Sequence, residues 1–334
     1  GFLRHRQDER MNYIVLDLEW NQCPDGREGK VEHLPFEIME IGAVKLDEDF
    51  QEAGEFHRLI RPQVYPELHY KILEVTHMDP ERLKRSGMTF VQAAEEFFDW
   101  CGKDCRFVTW GSMDLTELQR NMTYYQMESP FPHPLLYYDA QKLYCLLYGD
   151  GKTKLSLDQA VAQQGLESDE PFHQALDDAR YTGRLLARMD FQKVRPYVSV
   201  DYYCLPGSRE EEVFLRFPGY TKYVSSIFPD RERAMQDKVV TDMVCPVCNR
   251  MLRKKVRWFP LGQRSCYGLA VCPEHGLVKG KIRVRREEYG GTYVIKTMKP
   301  ATEEEAELIR QKHEAGRKKR NTRNHIRQKK GRKR

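Results

Sequence analysis

Three short segments, far apart in the chain, each place carboxylates where a metal ion could use them. Residues 13–20 read Tyr-Ile-Val-Leu-Asp-Leu-Glu-Trp, an apolar strand that ends in Asp17 and Glu19. Residues two apart on a strand point to the same face, so these two acids can bridge a pair of cations. Residues 107–114, Phe-Val-Thr-Trp-Gly-Ser-Met-Asp, are a second apolar run, closing on Asp114. Residues 173–179, His-Gln-Ala-Leu-Asp-Asp-Ala, set His173 five residues ahead of Asp178. Two divalent cations about 4 Å apart can stabilise the attacking and leaving oxygens of a phosphodiester together and acidify the attacking water. Hard cations such as Mg²⁺ or Mn²⁺ prefer carboxylate oxygen. A histidine, titrating near neutrality, suits the task of taking the water's proton. Each segment alone has an ordinary reading, since an Asp at a strand end is commonly a turn former or helix cap. The set points to two-metal chemistry.

The elements that must position these residues alternate between strand and helix from residue 12 to about 190. Strands are expected over 13–18, 38–46, 55–60, 106–110 and 135–138, the first three as antiparallel neighbours. Helices are expected over 66–75, 89–100, 115–127, 139–148, 155–164 and 174–189. In the second of these Ala93, Ala94, Phe97 and Phe98 share one apolar face. The last begins just after Pro171 and carries Asp178; Asp177, about 100° round the helix, is read as solvated. The pattern fits an α/β fold with a mixed five-stranded sheet flanked by helices.

Residues 37–44, Glu-Ile-Met-Glu-Ile-Gly-Ala-Val, and the run 73–78 add to the three segments. In this order they resemble the Asp-Glu-Asp-Asp-His (DEDDh) 3′→5′ exonucleases of the DnaQ-like, ribonuclease H-like superfamily. Residues 13–22 and 109–114 look closest to its KapD-like and Eri-like branch, which acts mainly at RNA ends. The resemblance covers a little over half of the chain. It implies that Asp17 and Glu19 are ligands of a pair of Mg²⁺ or Mn²⁺ ions, that Asp114 supports the second metal, and that Asp178 holds the metal carrying the nucleophile. It also implies that His173 is the general base and that 5′-mononucleotides are released from single-stranded RNA or RNA 3′ ends. Leu18 and Trp20 stand where the family contacts the terminal nucleotide, although many relatives have a smaller residue in place of Trp20. Two other readings are a single-strand DNA exonuclease serving repair and a non-catalytic RNA-binding or ribosome-associated factor that retains the fold. The five intact residues argue against the second. No residue reports on the 2′-hydroxyl, and processivity and oligomeric state are not legible.

At 334 residues and 40% hydrophobic content the chain has room for two or three domains, with no apolar run of membrane-spanning length. Residues 1–10 are too polar for a signal peptide, and Met11 is a candidate natural start. The net charge of +5 is unevenly spread. Residues 1–190 hold 21 basic against 34 acidic side chains, residues 191–316 hold 23 against 16, and residues 317–334 hold 11 against none. Phosphate-neutralising groups are therefore expected downstream of the acidic domain.

Four of the nine cysteines fall between 245 and 272, which suggests a reducing, cytoplasmic setting and a metal site rather than a disulfide framework. Cys245-Pro-Val-Cys248 and Cys272-Pro-Glu-His275 are two matching knuckles, the arrangement by which a zinc ribbon builds a closed, structural Cys₃His site for one Zn²⁺. Cys266 is the alternative fourth ligand. Basic residues from Arg250 to Arg286, with Trp258, Phe259 and Tyr267 interleaved, suit nucleic acid. The expected layout is an exonuclease domain over 11–190, an aromatic-rich connector over 191–240, a zinc-ribbon-like module over 241–299, a helix over 300–316 and a disordered basic tail over 317–334. The connector either packs or offers its aromatics to bases, with Arg216 and Lys222 near phosphates.

Overall fold

The computed structural model describes residues 11–26, 28–76, 78–167 and 173–331, with side chains through Lys318. The expectations for residues 1–10, His77, Pro171 and the last three basic residues lie outside the described residues. The chain divides into two compact units, the first running to Cys204 and the second starting at Leu205. Among the described residues no helix is long and apolar enough to cross a membrane.

The first unit contains β1 (Asn12–Gln22), β2 (Phe36–Leu46), β3 (Glu52–Leu59), α1 (Tyr70–Thr76), α2 (Pro80–Ser86), α3 (Phe90–Cys101), β4 (Cys105–Thr109) and α4 (Asp114–Tyr124). It continues with β5 (Leu136–Asp139), α5 (Ala140–Tyr148), α6 (Leu157–Gln163), α7 (Ala175–Arg188), α8 (Phe191–Val194) and β6 (Ser199–Val200). Its sheet runs β3-β2-β1-β4-β5-β6. The β1–β2, β2–β3 and β5–β6 pairs are antiparallel, and β1–β4 and β4–β5 are parallel. The mixed α/β class is as expected, with one more strand than the five foreseen. That sixth strand is two residues long and pairs with Leu136 and Tyr137.

Period-two alternation along β1 divides two cores. Ile14, Leu16 and Leu18 pack with Phe90 and Phe97 of α3 and Leu118 of α4. Tyr13 and Val15 pack with Val44, Leu143 of α5, and Tyr181 and Leu185 of α7. Each such side chain contributes about 1.5–3 kcal/mol when fully buried. Asp17 and Glu19 extend the Tyr13–Val15 row, so the same alternation that builds the core delivers both acids to the α7 side.

The second unit contains β7 (Val213–Phe217), β8 (Tyr220–Val224), α9 (Arg231–Gln236), α10 (Lys238–Thr241), β9 (Arg253–Pro260), β10 (Ser265–Cys272), β11 (Gly276–Arg286), β12 (Thr292–Pro300) and α11 (Glu303–Gly331). Its six strands run β7-β8-β12-β11-β10-β9, every pair antiparallel. Ala234 of α9 and Val240 of α10 cover Tyr223, Ile282 and Val294 on one face. Ala306 and Ile309 of α11 pack on Val256, Phe259 and Leu269.

Residues 191–240 do not form one connector. Their early part completes the first unit, with Val198 and Val200 buried, and their later part supplies β7 and β8 of the second sheet. Val213 and Phe217 of one strand, and Tyr223 and Val224 of the next, are buried and pair as a hairpin around Pro218-Gly219, the glycine at φ +78°. The tail expected to be disordered continues α11 to Gly331. Lys, Arg and Gln are good helix formers, and no proline interrupts residues 303–331.

Candidate active site and metal centre

Asp17 sits opposite Gly42 of β2, and Glu19 opposite Glu40. A Cβ at Gly42 would lie 2.1 Å from the Ala175 carbonyl carbon and the Leu176 nitrogen. The first turn of α7 therefore rests directly on the backbone of β2, and only glycine admits it there. That contact brings Asp178, one turn into α7, over the acids of β1. His173 precedes the helix in the left-handed region, φ +72°, and its backbone N–H donates to the Asp178 carboxylate at 3.3 and 3.4 Å. Ligand atoms of Glu19, His173 and Asp178 all lie within 4.8 Å of one another. Asp114 opens α4 and accepts from the Leu18 N–H at 3.3 Å, which ties the second segment to the middle of the Asp17–Glu19 pair. His173 is exposed, whereas Asp114 and Asp178 are buried.

The electrostatics are those of crowded acids. Burial, and then the charges of Asp114, Asp178, Glu19 and Glu40, hold Asp17 well above the usual carboxylate range. Burial, followed by Glu40, Asp178 and Asp114, pushes Glu19 up to about 8. Asp114 rises to about 7, with burial outweighing the N–H groups of Asp114 and Leu18 that favour its charge. Asp178 also rises to about 7, with burial outweighing the His173 N–H. No lysine or arginine charge is among the main causes acting on these four, and bound divalent cations would supply a balancing charge. An all-oxygen donor set with one adjoining imidazole fits hard divalent ions.

Several supporting side chains were not foreseen. Buried Glu40 accepts from, or donates to, His57 Nε2 at 2.7 Å beside Glu19. Asn21, fully buried, donates to the Tyr65 and Glu67 carbonyls and accepts from His69 N–H. Glu37 accepts the N–H groups of Gln63, Val64 and Tyr65. These two side chains hold residues 63–69 as a loop, so the helix expected from residue 66 begins only at Tyr70. Asp79 caps α2 through Glu81 N–H with Pro80 following it, a start signal the sequence carried. Asp177 is not solvated as expected: it is buried and pairs with Arg180 at 2.8 Å, and Arg180 also grips Glu55 of β3. Leu18 lies in the core with its N–H engaged, while Trp20 is partly exposed and packs on Phe36.

In the second unit ligand atoms of Cys245, Cys248, Cys272 and His275 lie within 4.8 Å of one another. Cys245 Sγ is 3.7 Å from His275 Nδ1, Cys248 Sγ is 3.7 Å from Cys272 Sγ, and Cys272 Sγ is 3.5 Å from His275 Nδ1. Four ligands arranged tetrahedrally around Zn²⁺ with bonds of about 2.3 Å would be separated by about 3.8 Å. Each knuckle is followed by a left-handed residue, Asn249 at φ +60° and Gly276 at φ +72°. Burial would raise the Cys272 thiol, but hydrogen bonds led by that from His275 bring it down to about 6. Cys266 stands apart, packed near Ile282 and approached by Arg231 Nη2 at 3.3 Å. The donor set is compatible with zinc.

Part of the first unit is similar to known exonucleases. The model of the RNase T family, described as "Exonuclease", matches residues 14–186. ERI1 exoribonuclease 2 of Xenopus laevis is 28% identical over 205 residues, which cover 53% of this chain and 28% of that protein. The chain thus spans little more than a quarter of that relative's length. The nuclease domain of 3′hExo bound to rAMP has a TM-score of 0.48 at 20% identity, covering 58% of this chain and 98% of that one. E. coli exonuclease I in complex with an oligonucleotide has a TM-score of 0.44 at 12% identity, covering 78% and 54%. The match to the family model spans just over half of the chain and contains Asp17, Glu19, Asp114, His173 and Asp178. This chain belongs to the RNase T family of exonucleases.

Proposed function

We propose that the protein is a metal-dependent 3′→5′ exonuclease that shortens RNA and releases nucleoside 5′-monophosphates. The convergence of Asp17, Glu19, Asp114 and Asp178 beside an exposed His173, with no lysine or arginine among the main charges acting on the four acids in the described residues, carries this reading. These acids would hold two Mg²⁺ or Mn²⁺ ions, which would neutralise developing charge on both oxygens of the scissile bond and lower the pKa of water. His173 takes the proton of the attacking water as the P–O3′ bond breaks. The shortened strand keeps a 3′-hydroxyl, and the phosphate leaves on the released nucleotide. Asp178 positions His173 through the backbone hydrogen bond of the segment ahead of α7.

RNA as the substrate is supported by the similarity to an exoribonuclease. One Zn²⁺ on Cys245, Cys248, Cys272 and His275 would be structural, since four protein ligands leave no open position. A reducing, cytoplasmic setting suits nine free thiols. The test is a degradation panel of 5′-labelled single-stranded RNA, single-stranded DNA and overhanging duplexes with Mg²⁺ and Mn²⁺, comparing the parent with an Asp17→Ala/Glu19→Ala variant. A ladder from the 3′ end on RNA, absent in the variant, is expected. Equal degradation by both proteins would sink the assignment.

A further inference from the structure

In the second unit the strand register sorts basic residues by face, because directly paired residues of antiparallel strands project to the same side. Tyr267 of β10 pairs with Lys281 of β11, Lys281 with Thr297 of β12, and Thr297 with Lys222 of β8. Flanking rows add Arg283, opposite Ser265, and Lys299, opposite Lys279. The other face of the same strands is spent on the core, where Cys266, Ile282, Val294 and Met298 lie. Trp258 and Phe259, the aromatics that the sequence interleaves with this basic set, are also spent. The Trp258 indole N–H donates to the Thr241 carbonyl, and Phe259 is buried under α11.

What remains on this face is a set of braced cations. Lys281 lies 5.2 Å from the Tyr267 ring centre and Lys299 lies 4.8 Å from that of Tyr220. Lys222 lies 5.6 Å from the ring of Phe217, which in turn stacks on Tyr220 at 4.4 Å and 11°. Arg283 and Lys299 are exposed; Lys222 and Lys281 are partly buried. Glu305 of α11 pairs with Lys279 at the edge of the group. Among the described residues Lys222, Lys281, Arg283 and Lys299 have no ion-pair partner. Burial, with the charges of Arg283 and Lys299 close by, holds Lys222 below the usual lysine range. Like charges that outnumber the acids near them cost stability until a polyanion neutralises them. Rings that fix the ammonium groups also lower the side-chain entropy lost on binding.

We propose that this sheet face binds a nucleic-acid strand through its phosphates, with Lys222, Lys281, Arg283 and Lys299 as the contacting groups. Each of these rings already carries a lysine, and Phe217 and Tyr220 stack on one another, so the contact reads backbone and is indifferent to base identity. The choice of single-stranded RNA as the probe rests on the function proposed above. The platform itself does not.

The test measures binding of the full chain to fluorescein-labelled 20-mer RNA by anisotropy in EDTA across a KCl series. The Lys281→Gln/Arg283→Gln/Lys299→Gln variant should bind about tenfold or more weakly at low salt, and its log Kd against log[KCl] slope should fall by about 2, some 0.7 for each phosphate left unneutralised on a single strand. The weakening should be equal for poly-U and poly-A. Lys299→Gln alone, an exposed change, should lower the slope by about 0.7 and decides the matter if the triple variant melts early. Unchanged affinity and slope in the folded variants would overturn the platform, and a weakening confined to one base composition would overturn its phosphate mode. Because no hydrolysis occurs in EDTA, a parent that binds RNA steeply with salt but never cuts it with metal would refute the nuclease reading and leave this one standing.

Discussion

Asp17 is held above its usual pKa by burial first and by four neighbouring carboxylates after it, which makes the metal-free site a source of instability. Glu19 titrates at about 8, and Asp114 and Asp178 at about 7, all above the values of an unfolded chain. The folded protein then holds more protons than the unfolded one between roughly pH 4 and 8. The stability these groups contribute is complete below about pH 4 and is lost as pH rises through 7–8. We expect the melting temperature in EDTA to fall between pH 5 and 8.5, and saturating Mg²⁺ to recover much of the loss. Asp17→Asn at pH 8.5 in EDTA should raise Tm by a few degrees while abolishing hydrolysis, roughly the change that about 1 kcal/mol gives in a domain of this size. A variant that melts below the parent under those conditions would show that the acids are balanced by some group other than a metal. The five residues of the site were legible because carboxylate and imidazole chemistry is written in residue type. Glu40, Asn21 and Glu37 were not, because each matters only through a partner that folding supplies, such as His57 or the backbone of residues 63–69.

Gly42 shows how an element, rather than a side chain, sets the geometry of the acids. The backbone of α7 occupies the space where a Cβ would stand, so Gly42→Ala must lift the helix from β2. Overpacking of this kind costs about 1–3 kcal/mol. Here it should also displace Asp178 from Asp17, so kcat is expected to fall by at least tenfold while the far-ultraviolet spectrum stays that of the parent. Full activity in Gly42→Ala would mean that α7 does not fix the site. The strands and helices of the first unit were readable because hydrophobic periodicity and caps are local signals, as at Thr89 and Gln92 of the capping box on α3. What the periodicity could not show is which short apolar runs cross to another sheet: Ser199 and Val200 join the first, and Val213 and Phe217 the second. The two knuckles are local in the same sense. Cys245→Ser should remove the bound zinc detected by elemental analysis and make residues beyond Leu205 the first to be cut in limited proteolysis; retention of one zinc per chain would reassign the ligands.

Across the whole molecule, charge is segregated from chemistry. Positions 1–190 carry 34 acids and 21 basic residues, whereas positions 317–334 carry 11 basic residues and no acid. A net-negative catalytic unit repels RNA at long range, and that repulsion is screened over about 8 Å at physiological ionic strength. Basic residues elsewhere on the chain can offset it by releasing counterions from the strand, a contribution that weakens steeply as salt rises. Continuation of α11 to Gly331 alters how this end would act, since a helical backbone is a stiff rod instead of a collapsing coil. Deleting residues 317–334 should therefore weaken binding of a 20-mer RNA in EDTA and lower its salt slope by several units, at about 0.7 for every phosphate the tail had neutralised. Turnover of a dinucleotide should change less than twofold. If affinity for long RNA is untouched by the deletion, the substrate is gathered by the second sheet alone. If dinucleotide turnover collapses as well, the helix is part of the catalytic fold and not an electrostatic accessory to it.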